Sequence, residues 1–325
     1  MANEIHILSE FSNAMRGSDL RALALYRDLR QRGDVSLWTE QPVDPRLADY
    51  PIRRISAFNQ QFPYRGTLII VGVFFAIGAW LRFTGFQRTI AVYNTYSPDL
   101  FPQLVAGLAG AGIKSPEFVF ASQWLRTTSA TPGEVHPSPI DIDRFVPRTQ
   151  AHRSNQPFTV GRLSRDDLTK HHLPDAAVYR RLAEKDCRVR IMGGTCLGRE
   201  LADVPGIELM REGSEPAETL LQGLDCFYYR TAETWLEVFG RVIMEAMACG
   251  LPVVCHWRGG YTEWIDDEVN GFLIESPEEA EEVILRLKAD PQLRANVGCA
   301  ARQSMAALFS QEARKKELDF YCPAR

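Results

Sequence analysis

The chain lacks the features that mark secreted, zinc-binding or disulfide-stabilised proteins. Its 325 residues include seven cysteines, none before Cys187 and none in a Cys-x-x-Cys pair. An odd number of scattered cysteines in apolar patterns predicts buried free thiols in a reducing compartment, not a disulfide framework or a zinc site. The N-terminus has no basic segment followed by an apolar one, so we expect no secretory signal.

The sequence also lacks a strong excess of either charge. The formal net charge is −4, with 24% charged and 45% hydrophobic residues, a composition typical of a soluble globular protein with an ample core. This balance argues against a general role in binding nucleic acid or other polyanions. The first 150 residues are slightly basic and the remainder is acidic, which permits contact with phosphates or anionic lipid without requiring it.

No apolar run in the sequence reaches the length of a membrane span. The run Leu68–Leu81 has 14 residues, contains two glycines and lies between Arg65 and Arg82, whereas a spanning helix needs about 20 residues. We expect a buried strand at Leu68–Val71 followed by a packed helix. A hydrophobic helix that touches a membrane surface is the alternative.

Short β patterns alternate with helical patterns along the chain, which predicts α/β architecture with parallel sheets and helices on both faces. The length suits two domains of about 150 residues each. A polar stretch between Pro147 and Pro157 favours a boundary there. We therefore predict domains at 1–150 and 151–325, with a last helix that can cross back to the first domain.

The expected strands are bounded by turn residues and helix signals. In the first domain they are Ile5–Ser9, Val35–Trp38, Leu68–Val71, Thr89–Tyr93 and Glu117–Ala121. In the second domain they are Phe158–Val160, Val189–Met192, Ile207–Leu209, Asp225–Tyr229, Val253–Cys255 and Phe272–Ile274. Residues 42–66 are rich in proline and arginine and are expected to be irregular.

Helix starts are expected where capping chemistry is present. These are Asp19 for a helix to about Arg32, Ser122 for a short helix, and Ser276, with Glu279 three residues later, for a helix to Ala289.

One acid stands in an apolar helix of the second domain. Glu245 is the only charged residue between Val242 and Cys255. An ionised carboxylate in such surroundings costs several kcal/mol unless a partner satisfies it. Arg241, one turn earlier, is the local candidate, and a polar ligand is the other.

The start of this helix can bind an anion. We expect the helix to begin near Gly240 and to end at Gly250, which suits a left-handed position. Exposed amides at the helix start, together with the helix dipole, form an anion site suited to a diphosphate. Glu237 could accept hydrogen bonds from sugar hydroxyls and Glu245 from a ribose. The alternative is a Glu245–Arg241 pair with Glu237 solvated.

The spacing Glu237-x7-Glu245 resembles the signature of retaining GT-B glycosyltransferases of the glycogen-synthase-like group. The resemblance covers nearly the whole chain and is specific mainly after residue 135. It implies two Rossmann-like domains facing across a cleft, with the acceptor on the first and the donor on the second. Further segments resemble the family in the same order: Ile7–Ser9 with Gly17, His136–Pro147, Val160–Ser164, Gly259–Glu263 and Asn270–Ile274.

The resemblance also implies site residues. Arg162, Lys170 and Glu237 would be catalytic, the two cations neutralising charge that develops on the donor diphosphate. The implied donor-binding residues are Gly17, Gly161, Arg165, Gly193, Gly194, Val238, Phe239, Gly240 and Glu245.

The spacing of the cations departs from the family pattern, in which arginine and lysine are about five residues apart. Arg162 and Lys170 are eight apart, and Asp167 occupies the expected position. Either three residues are inserted here or Arg165 takes the second cationic role.

On the acceptor side, weaker candidates follow the fourth expected strand, Thr89–Tyr93. Asn94, Tyr96 and Asp99 would lie near the crevice at the carboxyl end of a parallel strand, although the same residues are typical of a capped turn. The family's histidine near the reacting sugar has no counterpart at a matching position. His171 and His172 are expected at the surface because they lack further ligands for a metal.

The implied reaction is transfer of a sugar, with retention, from a nucleoside diphosphate sugar to a glycan, glycolipid or other hydroxyl acceptor. A UDP- or GDP-sugar is the expected donor, with no cofactor or metal. The alternatives are a catalytically silent sugar-nucleotide-binding or scaffold protein and a same-fold sugar-nucleotide epimerase. We expect a cytoplasmic protein without nucleic-acid partners, with peripheral contact at the cytoplasmic membrane face as a variant. The oligomeric state is left open.

Overall fold

The computed structural model describes residues 4–73, 77–148 and 156–323. By its internal contacts the chain forms two compact units, Met1–Pro139 with Gln311–Arg325, and Ile140–Ser310. Each unit contains one parallel sheet. This is the α/β architecture that the alternating pattern predicts.

The elements of the first unit are as follows. Its strands are β1 (Glu4–Leu8), β2 (Asp34–Thr39), β3 (Ile52–Arg54), β4 (Thr67–Val71), β5 (Arg88–Tyr93), β6 (Glu117–Phe120) and β7 (Glu134–Val135). Its first helices are α1 (Gly17–Leu29), α2 (Leu100–Gly110) and α3 (Gln123–Ser129).

The second unit follows, and the chain then returns to the first. The strands of the second unit are β8 (Phe158–Leu163), β9 (Cys187–Met192), β10 (Ile207–Met210), β11 (Cys226–Tyr229), β12 (Val253–His256) and β13 (Phe272–Ile274). Its helices are α4 (Asp175–Glu184), α5 (Gly198–Leu201), α6 (Ala217–Gln222), α7 (Arg241–Ala248), α8 (Pro277–Ala289) and α9 (Pro291–Leu308), after which α10 (Gln311–Tyr321) joins the first unit.

The first sheet has the strand order β3-β2-β1-β4-β5-β6-β7. Its central strands are apolar and buried, as parallel strands covered on both faces must be. One face of the sheet forms a core with α1 and α10. Leu318 and Tyr321 supply the apolar contacts of α10, and an ion pair between Arg32 and Asp319 (2.6 Å) fixes its outer side.

The division between the units falls after Pro139, earlier than the boundary expected at 150. The physical reason is that the following segment is bound by the second unit. Arg302 of α9 donates to the carbonyl oxygens of Ile142 (3.1 Å) and Phe145 (2.8 Å). Most of the polar stretch on which the expectation rested, 149–155, lies outside the described residues.

Two local expectations for the first unit are wrong. Residues 42–66 are not wholly irregular, because they contain the edge strand β3. Asp19 does not cap α1, which begins two residues earlier at Gly17. Instead, the Asp19 carboxylate accepts hydrogen bonds from the Ser9 hydroxyl (2.9 Å) and the Phe11 N–H (2.8 Å), so it fixes the loop that follows β1.

The apolar run at 68–81 begins as the expected buried strand, β4, and ends in a short 3-10 helix, Ala79–Phe83, whose Trp80 and Leu81 are buried. Residues 74–76 of this run lie outside the described residues. Among the helices that the structure describes, none combines the length and the apolar character needed to cross a membrane.

The second sheet has the order β10-β9-β8-β11-β12-β13. From β8 the chain moves outward to β9 and β10 and then returns to β11 on the other side. The carboxyl ends of β8 and β11 therefore flank the point where the strand order reverses, which is where open α/β sheets bind ligands. The capping prediction for α8 is confirmed, since the Ser276 hydroxyl accepts from the Glu279 N–H (3.1 Å).

Candidate functional site

Arg162 is fixed at the reversal point of the second sheet. It lies near the carboxyl end of β8, and only 1% of its surface is exposed. Its guanidinium donates to the carbonyl oxygens of Arg230 (2.7 Å) and Lys170. It also lies 4.3 Å from the ring centroid of Tyr229, the last residue of β11. Arg162 is therefore a preorganised cation whose position the two strands determine.

Lys170 and Glu237 form a largely buried ion pair beside this arginine, with 10% and 18% of their side-chain surfaces exposed. Lys170 Nζ lies 2.5 Å from Glu237 Oε1, and the Tyr229 hydroxyl donates to the same oxygen (2.9 Å). Burial opposes ionisation of Glu237, but the charge of Lys170 and the hydrogen bonds from Lys170, Tyr229 and Trp235 together outweigh it and hold the pKa of Glu237 below its usual range. Burial lowers the pKa of Lys170, which Glu237 counteracts. The lowered pKa of Glu237 keeps its carboxylate ionised near neutral pH, and Lys170 is its ion-pair partner.

Both candidates for the second cation lie on one aromatic ring. Lys170 Nζ is 4.0 Å from the ring centroid of Trp235, and the guanidinium carbon of Arg165 is 5.5 Å from it. Lys170 is buried, whereas Arg165 is partly exposed. At such distances the face of an indole ring attracts a cation. The structure thus brings Arg162, Lys170 and Arg165 together, despite the unusual spacing.

Tyr229 and Trp235 were missed by sequence reasoning. Tyr229 ends a strand with the sequence Cys-Phe-Tyr-Tyr, which reads as core, and Trp235 lies in a loop. The available signal was their position, since the carboxyl end of a strand and the loop after it form the binding edge of a parallel sheet.

Glu245 has the local partner that the sequence offered. Arg241 Nε lies 2.8 Å from Glu245 Oε1 across one turn of α7. Burial raises the pKa of Glu245, and the charge of Arg241 offsets this only in part. The alternative interpretation is therefore right about this pair. It is wrong about Glu237, whose side chain is only 18% exposed and is paired with Lys170.

The residues before α7 set its start. Gly240 has a left-handed backbone (φ 68°), and a Cβ there would lie 2.9 Å from side-chain atoms of Ile243 and Tyr261. The two preceding residues, Val238 and Phe239, are buried. The glycine therefore allows the tight approach from which α7 begins.

The glycines near β8 and β9 are sterically required. Gly193 is left-handed (φ 74°), and a Cβ there would collide with the carbonyl oxygen of Ser164. Side chains at Gly161 and Gly194 would also meet their neighbours at close range. These positions show tight packing at the edge of the site, and their contact with a donor remains a prediction.

The expectation for His171 is wrong, because it is buried. Its Nε2 lies 2.7 Å from the Gly193 carbonyl oxygen. Burial lowers the pKa of His171 to about 3, so the ring is neutral and donates this bond. His171 therefore serves to hold the turn after β9. Within the described ranges, no three His, Cys, Asp or Glu side chains are grouped to hold a metal.

Only some of the site residues predicted for the first unit lie near one another. Gly17 starts α1, and a Cβ there would have no atom within 4 Å. The Asn94 side-chain oxygen accepts from the Ser18 hydroxyl in the first turn of α1 (3.1 Å). Tyr96 packs against the indole of α3, with ring centroids 5.4 Å apart. Asp99 precedes α2 without capping it. Only Asn94 and Gly17 are thus brought to the same place.

Similarity to known families is concentrated in the second unit. Residues 211–304 match the family model of glycosyl transferases group 1. Human alpha-1,3/1,6-mannosyltransferase ALG2 is 36% identical over 104 residues, which are 32% of this chain and 24% of that protein. D-inositol 3-phosphate glycosyltransferase of Nocardiopsis dassonvillei is 33% identical over 114 residues, 33% of this chain and 26% of that protein. The chain spans about a quarter of the length of these relatives.

Similarity of fold covers the whole chain. The structure of Anabaena HepE in complex with UDP-glucose aligns with a TM-score of 0.76 over 98% of both chains at 18% identity. Sucrose-phosphate synthase of Thermosynechococcus elongatus aligns with a TM-score of 0.75 over 98% of both chains at 17% identity. The chain therefore has the GT-B fold, as expected. Residues 211–304 are similar to the group 1 glycosyltransferases.

Proposed function

We propose that this chain transfers a sugar, with retention of anomeric configuration, from a nucleoside diphosphate sugar to a hydroxyl of a glycan, glycolipid or related acceptor. The second unit takes the donor and the first unit the acceptor. The observation that supports this most directly is the buried Lys170–Glu237 pair beside Arg162, at the ligand-binding edge of the second sheet. The pair lies within a part of the fold whose sequence matches glycosyltransferases.

The cations provide the proposed chemistry. When the bond from the sugar to the diphosphate breaks, the leaving group gains negative charge. Arg162 is held rigidly by carbonyl oxygens and an aromatic face, so it can stabilise that charge without reorganising. Lys170 acts beside it. Because these side chains neutralise the diphosphate, the proposal includes no metal cofactor.

The acids provide the proposed contacts to the donor. Glu237 orients Lys170 and keeps a second carboxylate oxygen for sugar hydroxyls. Glu245 binds the ribose. When it does so, the ion pair between Arg241 and Glu245 is partly replaced by hydrogen bonds from the ribose hydroxyls. A hydrogen bond between a carboxylate and a hydroxyl is charge-assisted and therefore strong, so the exchange is energetically feasible.

A UDP-sugar is the first donor to test, because HepE, a structural neighbour, was crystallised with UDP-glucose. In a thermal-shift panel of UDP-, GDP-, ADP- and TDP-sugars we expect one nucleotide to stabilise the protein. The same donor should be hydrolysed slowly without acceptor. NMR of the first sugar released should show the anomeric configuration of the donor.

The opposed outcomes separate the candidate functions. Stabilisation without hydrolysis or transfer would favour a catalytically silent binder, which the existing Lys170–Glu237 and Arg241–Glu245 pairs also accommodate. Release of the opposite anomer would contradict retention. If no nucleotide sugar stabilises the protein, both the transferase and the silent binder are rejected.

A further inference from the structure

The two hydrogen bonds that hold Arg162 come from two separate loops of the second unit. Its guanidinium donates to the carbonyl oxygen of Arg230, which follows β11 (2.7 Å), and to that of Lys170, which lies between β8 and α4. A carbonyl oxygen can direct a side chain only if the loop that carries it is itself fixed. A group that fixes both loops therefore also determines the direction of the guanidinium.

Asp175, the first residue of α4, contacts both loops through one oxygen atom. Its Oδ1 accepts from the Arg230 guanidinium (3.0 Å) and lies 2.8 Å from Nδ1 of His172. Because a carboxylate can only accept, Nδ1 carries the proton of His172. Arg230 itself supplies one of the two carbonyl oxygens. His172 lies two residues after Lys170, which supplies the other. Asp175 therefore ties the two loops together at a single point.

This contact point is closed to solvent. Asp175 and Arg162 are each 1% exposed, and Arg230 is 4% exposed. Tyr179 of α4 and Tyr228 of β11 pack edge to face beside these charges, with ring centroids 5.7 Å apart. Salt screens such buried pairs much less than exposed ones. The contact between Asp175 and Arg230 is therefore a fixed part of the core.

The pairing of the buried charges leaves one cation for an anion. Lys170 is paired with Glu237, and Arg230 is paired with Asp175. Within the described parts of the chain, no carboxylate lies within ion-pair distance of Arg162. Burial lowers the pKa of Arg162, and the charge of Asp175 is among the opposing effects that raise it above its usual value. Arg162 thus keeps its charge while its direction is set by neighbours.

We propose that Asp175 is a positioning residue for Arg162. It clamps the loops after β8 and β11, so that the guanidinium meets a diphosphate in one fixed direction. This inference rests on the proposed function, in which Arg162 neutralises the diphosphate of the donor. A cation held in place beforehand stabilises developing charge without reorganising, and a misplacement of about 1 Å costs on the order of a hundredfold in rate. Asp175 acts on the ligand only through Arg162.

The positioning role and the charge of Asp175 have opposite effects on anion binding. The carboxylate is a negative charge near an anion site, so by charge alone its removal should strengthen anion binding. If Asp175 positions Arg162, its removal should weaken that binding. A role that is limited to stabilising the core does not predict weaker binding by the folded protein. The sign of the change therefore separates the two interpretations.

The test is binding of inorganic pyrophosphate to the full chain, measured by isothermal titration calorimetry. This probe carries the diphosphate without a nucleobase or a sugar. Arg162→Met should weaken binding on the order of tenfold or more, because it removes hydrogen bonds to a charged ligand. Asp175→Asn should weaken it on the order of tenfold. The double variant should bind no more weakly than Arg162→Met alone, because Asp175 acts through Arg162.

A second pair of variants leaves the buried charges in place. His172→Ala removes one of the two hydrogen bonds to Asp175, whereas His172→Asn places an amide N–H donor near the position of Nδ1. Both variants lack the imidazole, so a difference between them reports the hydrogen bond. His172→Ala should weaken pyrophosphate binding about fivefold, and His172→Asn should restore it. This pair decides the question if Asp175→Asn does not fold.

Asp225→Asn is a matched control at the opposite end of β11. Asp225 is 3% exposed and likewise binds an arginine, Arg148 (2.7 Å), and a further donor, the Thr159 N–H (2.9 Å). The control should lower the free energy of unfolding and bind pyrophosphate like wild type. The proposal is overturned if Asp175→Asn binds as tightly as wild type or more tightly, or if the control weakens binding equally.

The remaining outcomes are also decisive. Additive losses in the double variant, equal binding by the two His172 variants, or a wild type that does not bind pyrophosphate would each overturn the positioning role. Donor hydrolysis separates this role from the proposed function. Pyrophosphate binding that depends on Asp175, in a chain that hydrolyses no nucleotide sugar, would reject the transferase and support the positioning role. Hydrolysis that is unchanged in Asp175→Asn would reject the positioning role alone.

Discussion

The two units share a parallel-sheet design but place their buried charges differently. In the first unit, buried Arg21 donates to the carbonyl oxygen of His136 (2.8 Å), and buried Asp19 binds loop atoms, so both serve the backbone. In the second unit Arg162 likewise binds backbone carbonyl oxygens, but Lys170 and Glu237 satisfy each other at the binding edge. A ligand can take over a contact between two side chains more readily than a contact that holds the backbone.

The similarity to other proteins follows the same division. The matched sequence, 211–304, lies wholly within the second unit, while the fold similarity covers 98% of the chain. The recognisable sequence similarity thus lies in the second unit, and the first unit is similar to known structures in its fold.

The largest expected effect lies in the second unit. Lys170→Met leaves Glu237 buried without its cation, and breaking a buried ion pair by removing one partner costs about 3–5 kcal/mol. Denaturant unfolding followed by tryptophan fluorescence measures this loss. Arg165→Met is the control, since Arg165 is partly exposed on the same Trp235 ring and should cost less than about 1 kcal/mol. Equal losses in both variants would contradict the assignment of Lys170 as the buried partner.

An intermediate effect is expected in the first unit. Leu318→Ala removes a buried contact between α10 and the first core, which should cost about 2–3 kcal/mol because a cavity remains. Hydrogen exchange should show faster opening of β1 and α1, with the second unit unchanged. Lys315→Ala, at an exposed position on the same helix, controls for helix propensity. Faster exchange in the second unit alone would contradict the prediction, because it would show that α10 stabilises the second unit and not the first.

The smallest effect should distinguish the two acids by pH. Burial raises the pKa of Glu245 in the folded state. Its contribution to the free energy of unfolding is therefore most favourable at low pH and declines as pH rises through that pKa. Glu237 has a lowered folded pKa, so its contribution is present above its unfolded pKa and is lost as pH falls. In Glu245→Gln the free energy of unfolding should therefore decline less steeply as pH rises. At neutral pH it should differ from that of wild type by about 1 kcal/mol or less.

Melting temperatures measured between about pH 4 and pH 8 check this sign, and Glu237→Gln is the opposite control. Glu237→Gln should lose stability at neutral pH and converge with wild type in acid. Identical pH profiles for the Glu245 variant and wild type would contradict the raised pKa of Glu245. Nucleotide binding by the Glu245 variant should also weaken, which tests the proposed ribose contact.

Most strands and the helix around Glu245 were predictable because their signals are local. Apolar runs between turn residues give β5, β9 and β12, and Gly250 takes the left-handed conformation (φ 69°) expected after α7. The edge strand β3 was not predictable. Its three residues, Ile-Arg-Arg, lack a β pattern, and it exists because β2 offers backbone hydrogen bonds at the sheet edge.

The sequence by itself determined the α/β class, the strands of the second sheet, and the two acids before and within α7, because apolar periodicity and helix punctuation act over a few residues. The sequence also offered Arg241 as the partner of Glu245, whereas only the tertiary structure decided the partner of Glu237. Lys170 meets Glu237 across 67 residues, and Trp235 receives both Lys170 and Arg165. These pairings form because the fold brings particular strand ends next to each other. The spacing of the residues along the chain does not determine the distance between their side chains.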